Sequence, residues 1–192
     1  MKKILIIISI FFSTISTISA EEIKRIFVGN KDAKITIIAF ESLTCSHCAN
    51  FHKDVFPELK KEYLDTGLAK IEFRHFPLDI AAFNASKVSQ CNNDGDSKIL
   101  NSLYANQQIW VKGNSVEEAN ENLKKFLVSE GYIVDFEKCI NNKEIEDFVL
   151  NDRVDGAKNF KVNSTPTIII NDEKFEKTLN YKNLKKALEK LI

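Results

Sequence analysis

Cys45 and Cys48 are separated only by Ser46 and His47. Two thiols at that spacing can exchange a disulfide with another thiol pair, or supply two of the four ligands of a zinc ion. A zinc site needs a second ligand pair at comparable spacing, and neither Cys91 nor Cys139 has a neighbouring Cys or His. A purely structural Cys45–Cys48 bridge closes so small a loop that it removes little chain entropy. The context favours redox chemistry, with zinc and the structural bridge as the alternatives.

That context is the stretch from Lys34 to His52. Ile35, Ile37, Ile38 and Phe40 form an apolar run rich in β-branched residues, and a helical pattern begins after Cys45, so the cysteines fall where a buried strand hands over to a helix. The first turn of a helix has unpaired N–H groups and the positive end of the dipole, and both favour a thiolate over a thiol. Cys45 is thereby the exposed nucleophile, Cys48 its covered partner one turn further in, and His47 a cation beside them. His52, one turn past Cys48, reads as an ordinary, partly exposed helix histidine, the alternative being that it tunes the thiolate. His75, at the end of a strand, reads as a packing or capping residue.

The chain has 192 residues and a formal net charge of zero, which points to neither nucleic acid nor an anionic surface. Lys2 and Lys3 precede the apolar run Ile4 to Phe12, and Ala20 precedes Glu21 and Glu22. Residues 1–20 therefore read as a cleaved signal peptide, although Ile18 is bulky for its place before the cut. The expected product is an exported soluble protein in a compartment where disulfides persist.

Ile23 to Val28 reads as a first strand, Gly29 to Asp32 as a turn, and Ile35 to Phe40 as a central strand covered on both faces. The helix after the cysteines carries Phe51, Val55, Leu59 and Tyr63 as one stripe; Pro57 should kink it and Gly67 end it. Ala69 to Phe76 alternates as a strand. Candidate helices then run over Ile80 to Cys91, Ser97 to Val111, Val116 to Glu130, Phe136 to Ile140 and Lys143 to Phe160, with Tyr104 and Trp110 as core aromatics. Pro166 begins a strand over Thr167 to Asn171, Asn171-Asp172 forms a hairpin turn, and Leu179 to Ile192 is a terminal helix with Leu184, Leu188 and Leu191 on one face.

These residues resemble the DsbA-like thiol:disulfide oxidoreductases of the thioredoxin superfamily. The likeness rests on T-C-S-H-C-A-N-F-H, F-P-E-L-K-K-E-Y-L-D-T-G, F-R-H-F-P-L-D and V-N-S-T-P-T-I-I-I-N, and it spans the chain after the leader. It implies an α/β thioredoxin fold, a central mixed sheet flanked by helices with an inserted all-helical domain: residues 21–78 and 161–192 form the thioredoxin parts and 79–160 the insertion. It implies Cys45 as the attacking sulfur, Cys48 as its partner, Ser46 and His47 as the tuning dipeptide, and Thr165 and Pro166 as a cis-proline loop lining the substrate groove. The dipeptide is Ser-His where the best-known members have Pro-His. The buried acid that many members carry six positions before the first cysteine is Ala39 here, with Glu41 two residues on.

The implied activity is an exported protein-disulfide oxidoreductase, a DsbA-type thiol oxidase of the bacterial periplasm that donates its disulfide to reduced, unfolded client proteins. A DsbB-like membrane partner would recharge it; no cofactor, metal or nucleic acid is implied, and a monomer is expected. Cys91 and Cys139 are left over in an oxidising compartment and are expected to form a second, structural disulfide, the alternative being two buried thiols. The rival functions are a disulfide isomerase or reductase of the same fold and a non-enzymatic chaperone or metal-binding protein. About fifteen residues between Ala20 and the central strand leave no room for the dimerisation segment of the dimeric isomerases.

Overall fold

The computed structural model describes residues 22–192, so the signal-peptide reading of residues 1–20 lies outside the described residues. Five strands form one mixed sheet: β1 (Phe27–Gly29), β2 (Ile35–Glu41), β3 (Ala69–His75), β4 (Thr167–Ile170) and β5 (Glu173–Lys174), in the order β1-β3-β2-β4-β5. β2 lies at the centre, parallel to β3 and antiparallel to β4, and the outer strands are antiparallel to their neighbours. Its side chains alternate between two apolar clusters. Ile35, Ile37 and Ala39 pack with Cys48 and Phe51, whereas Ile38 and Phe40 pack with Phe76, Val162 and Ile169.

The first strand is shorter than its sequence suggests. The Lys24 N–H donates to Asn93 Oδ1 and the Lys24 carbonyl accepts from Gln90 Nε2, so this segment is tied to a loop before it reaches the sheet.

After β2 come α1 (Ser46–Asp54) and α2 (Phe56–Leu59), the latter running into a π-helical turn, Lys60–Leu64. Pro57 has no N–H to give the preceding turn, and the chain leaves helical geometry two residues earlier, at Val55 (φ −119°). The apolar stripe survives the break: Phe51, Val55, Leu59 and Tyr63 are all buried. Gly67 ends the segment at φ +77°.

Six helices separate β3 from β4: α3 (Ile80–Gln90), α4 (Lys98–Ala105), α5 (Gln107–Trp110), α6 (Val116–Ser129), α7 (Phe136–Ile140) and α8 (Lys143–Asn159). The single helix expected over Ser97 to Val111 is two, parted at Asn106, whose side-chain amide donates to the Ser102 carbonyl. Tyr104 and Trp110 are buried, as core aromatics should be. Asn171 and Asp172 both take positive φ, as a two-residue hairpin loop demands. The terminal helix is α9 (Tyr181–Leu188); Leu184 and Leu188 are buried, but Leu191 lies beyond the helix end and is exposed.

Cys91 and Cys139 form a disulfide with Cα atoms 5.4 Å apart, joining the end of α3 to α7 across 48 residues of sequence. A loop of that size gives about 4 kcal/mol in the chain-entropy description. Replacing both cysteines by alanine should therefore lower the free energy of unfolding by about 2–4 kcal/mol. Urea unfolding checks this, and an unchanged midpoint would contradict it.

Candidate active site

Cys45 is the residue at which α1 begins, with extended backbone (φ −79°, ψ 118°) and no side-chain cap on the helix. A cap position is where a side-chain acceptor meets the free N–H groups of the first turn. Here that place is taken by sulfur, whose anion is favoured by the Cys48 thiol first, then by the Thr165 side chain and the backbone N–H groups of Cys48 and His47. Together they hold the Cys45 pKa at about 5, with the Cys48 thiol the largest contributor, against the opposing cost of partial burial.

Cys48 is the opposite case. It is 0% exposed, and burial first, then its hydrogen bond to Cys45 and the charge of Glu41, push its thiol far above the ordinary value. Both cysteines are free thiols here. One turn of helix thus separates a sulfur that prefers to be an anion from one that cannot be.

The loop before β4 closes the other side. Its Thr165–Pro166 bond is cis, and the Cys45 thiol donates to the Thr165 carbonyl at 3.3 Å. Once Cys45 is ionised that carbonyl is no partner. The Thr165 hydroxyl is buried without a hydrogen-bond partner among the described residues and is the donor available there. Ser46 and His47 are exposed, so what the structure shows His47 giving the sulfur is its backbone N–H.

Beneath the cysteines lies a polar pair whose members the sequence offers separately but does not join. Glu41 is 4% exposed, and its Oε2 is 2.8 Å from His52 Nε2. The His52 ring stacks on Tyr104 of α4 at 4.1 Å between centroids. His52 is partly exposed as a residue, as expected of a helix histidine, but its side chain is only 6% accessible and stacks beneath Tyr104. Burial raises the Glu41 pKa, with His52 opposing, and its Oε1 lacks a hydrogen-bond partner among the described residues. Residues 39 and 41 share one face of β2, so Glu41 reaches the space below the cysteines although Ala39 fills the expected place of the acid. His75 lies beside Glu41 in the β2–β3 register; it is buried, and its backbone N–H donates to Asp152.

Gln107 was also missed. Its side-chain amide donates to the carbonyls of Leu43 (2.8 Å) and Cys45 (3.0 Å), linking α5 to the turn that carries Cys45. A groove of about 820 Å³ opens beside α1, lined by Ser46, His52, Phe56, Tyr104, Gln107 and Ile109 among others. Among the described residues, no group of three or more His, Cys, Asp or Glu side chains is gathered to hold a metal.

The split between the sulfurs has a thermodynamic signature. Cys45 titrates near 5 in the fold and near 9 in the free thiol, so its stabilisation of the reduced protein is fully present above pH 9, shrinks as pH falls and is gone below about 5. The oxidised protein has no such thiol. The thermal midpoint of the reduced form should therefore rise relative to that of the oxidised form between pH 5 and pH 9; parallel curves would contradict the assignment.

A family model described as Thioredoxin matches residues 21–190. A provisionally named protein-disulfide oxidoreductase of Rickettsia bellii is 26% identical over 170 residues, 86% of this chain but only 63% of that protein. The disulfide bond formation protein D of Bacillus subtilis is 25% identical over 85% of this chain and 75% of its own. Among solved structures, the alpha-DsbA1 of Wolbachia pipientis superposes with a TM-score of 0.77 at 28% identity, covering 87% of this chain and 90% of the other. The expected fold class and the resemblance to DsbA-like proteins are both met, and on the match across nearly all its described length the chain belongs to the thioredoxin family.

Proposed function

We propose that the protein is a thiol:disulfide oxidoreductase that oxidises reduced, unfolded proteins in the bacterial periplasm. The observation that carries this reading is the unequal environment of its two sulfurs. A substrate thiolate attacks Cys45 Sγ of the oxidised pair; the Cys45–Cys48 bond breaks, and Cys48 leaves with the electron pair. Its buried sulfur then takes up a proton, for which the Glu41–His52 pair is the neighbouring source. A second substrate thiolate next attacks the substrate sulfur of the mixed disulfide and expels Cys45 as a thiolate. The substrate has lost two electrons and the protein has gained them. A low pKa at the departing sulfur speeds that last step and stabilises the reduced product, making the oxidised form a strong oxidant.

The surroundings suit extended chains of varied sequence. The cis-proline loop lies against Cys45, where backbone pairing with a docked segment gives affinity with little sequence preference. Leu78, on the loop after β3 with its N–H donating to the Ser42 hydroxyl, and Ile80, the first residue of α3, are exposed apolar side chains at the same end of the sheet. Recharging the dithiol requires an oxidising partner, and a DsbB-like membrane protein fits that need. Export through a leader at residues 1–20 would place both in one compartment.

The test is oxidative refolding of a reduced, unfolded disulfide protein by the purified oxidised enzyme. Cys45→Ser should abolish disulfide transfer, and undiminished transfer by that variant would end the proposal. Glu41→Ala should leave the attack at Cys45 in place but slow oxidation of the dithiol by glutathione disulfide at pH 7 by roughly tenfold or more, since a positioned proton carrier contributes about 10²-fold or more to such steps. Quenched-flow thiol trapping measures this, and a rate within a factor of about two of the parent would remove Glu41 from the mechanism.

A further inference from the structure

The helical insertion touches the reactive turn through a side chain that disulfide exchange does not require. Gln107 is the first residue of α5 and is 9% exposed. Its amide nitrogen carries two hydrogens and spends them on two carbonyls, those of Leu43 and Cys45, which flank Thr44 immediately before α1. The Cys45 carbonyl already accepts the first two bonds of α1, from Cys48 N (3.1 Å) and Ala49 N (3.2 Å). Gln107 therefore grips the turn at its hinge, from more than sixty residues away in sequence.

We infer that Gln107 is a positioning residue for Cys45, by which the helical insertion holds the nucleophile's turn in the geometry that stabilises its thiolate. The backbone donors to the sulfur belong to His47 and Cys48, in the first turn of α1, while the sulfur itself hangs from the residue before it. Their aim depends on how Cys45 is set against that turn, and the Cys45 carbonyl is the atom common to both. A donor on a peptide carbonyl also polarises the N–H of the same peptide, and here that unit is the Cys45–Ser46 peptide at the start of the helix. The Leu43 bond fixes the approach from β2. Without Gln107, the remaining ties on the approach are the Cys45 N–H to the Ser42 carbonyl (3.0 Å), the Thr44 hydroxyl to Asp79 (2.7 Å) and the Ser42–Thr44 hydroxyl contact (3.3 Å). None of these acts on the Cys45 carbonyl.

The titratable groups facing Cys45 are Cys48 and His47 on α1, Glu41 on β2 and Tyr104 on α4, and a change at Gln107 leaves all four in place. The inference rests on Cys45 being the attacking thiol, and the test separates the two claims. Ultraviolet thiolate absorbance is titrated in the full reduced chain for the parent, for Gln107→Met, which keeps the length and loses the donors, for Gln107→Glu, which can only accept, and for Leu123→Ala, which opens the core of the insertion on α6 and removes no donor. Alkylation of Cys45 by iodoacetamide at pH 5 is the second readout.

The midpoint should rise by roughly one pH unit in Gln107→Met, a tenfold loss of thiolate at a given acidic pH, and at least as far in Gln107→Glu, with alkylation slowed in proportion. Leu123→Ala should lower thermal stability and leave the midpoint alone. An unchanged midpoint in Gln107→Met, or an equal shift in Leu123→Ala, would overturn the inference while leaving the proposed function standing. A parent midpoint near that of a free thiol would instead overturn the proposed function and the inference with it.

Discussion

The fold turns on the stabilisation of one negative charge, on the sulfur of Cys45. An anion half out of water is unfavourable unless donors are fixed around it; the helix start provides backbone N–H groups, and the Cys48 thiol adds the largest share. Everything near the sulfur serves that geometry. β2 delivers the chain to the helix at the end of the sheet, Cys48 supplies a thiol hydrogen from one turn inside, and the loop of Thr165 limits where the sulfur can go. The same arrangement penalises charge on Cys48, which has protein on every side and Glu41 nearby. The asymmetry between two chemically identical side chains is a product of burial and position alone.

The insertion between β3 and β4 belongs to this picture. Two residues of its α4–α5 edge, Tyr104 and Gln107, reach the site: one stacks on the histidine paired with Glu41, the other bonds the carbonyls at the approach to the helix. Trp110, three residues on, donates its indole N–H to the Leu103 carbonyl and anchors that edge from inside. The disulfide from α3 to α7 cross-links the same helical block. The helices therefore bear on the reactive turn from a braced position.

Much of this is legible in the residues. The strand-to-helix setting of Cys45 and Cys48 follows from Ile35 to Phe40 giving way to a fourfold stripe, because a strand covered on both faces is apolar nearly throughout and a helix buried on one side is apolar once a turn. Pro166 before an apolar β run marks a strand start because it has no N–H to share. What escapes a linear reading is what distant elements bring together. His52 looks ordinary until Tyr104 covers it, and Glu41 looks displaced from the usual acid position until the alternation of β2 puts it on the face of Ala39. Gln107 did leave a trace: it interrupts the apolar series Leu100, Leu103, Leu103-neighbour Tyr104 and Trp110 at helical spacing, and a polar residue on a buried stripe needs a partner. The chain alone does not say that the partners are the carbonyls of Leu43 and Cys45.

Stabilising the Cys45 anion stabilises the reduced protein, so the redox equilibrium itself reports whether the charge is held as described. Equilibration of the Cys45–Cys48 pair in glutathione buffers at pH 7, with both states quantified after acid quench, measures it most directly. A potential tens of millivolts or more above the figure of about −270 mV typical of thioredoxin is the expected result. A potential at or below about −270 mV would mean that the sulfur is not held as an anion, and would contradict the central claim.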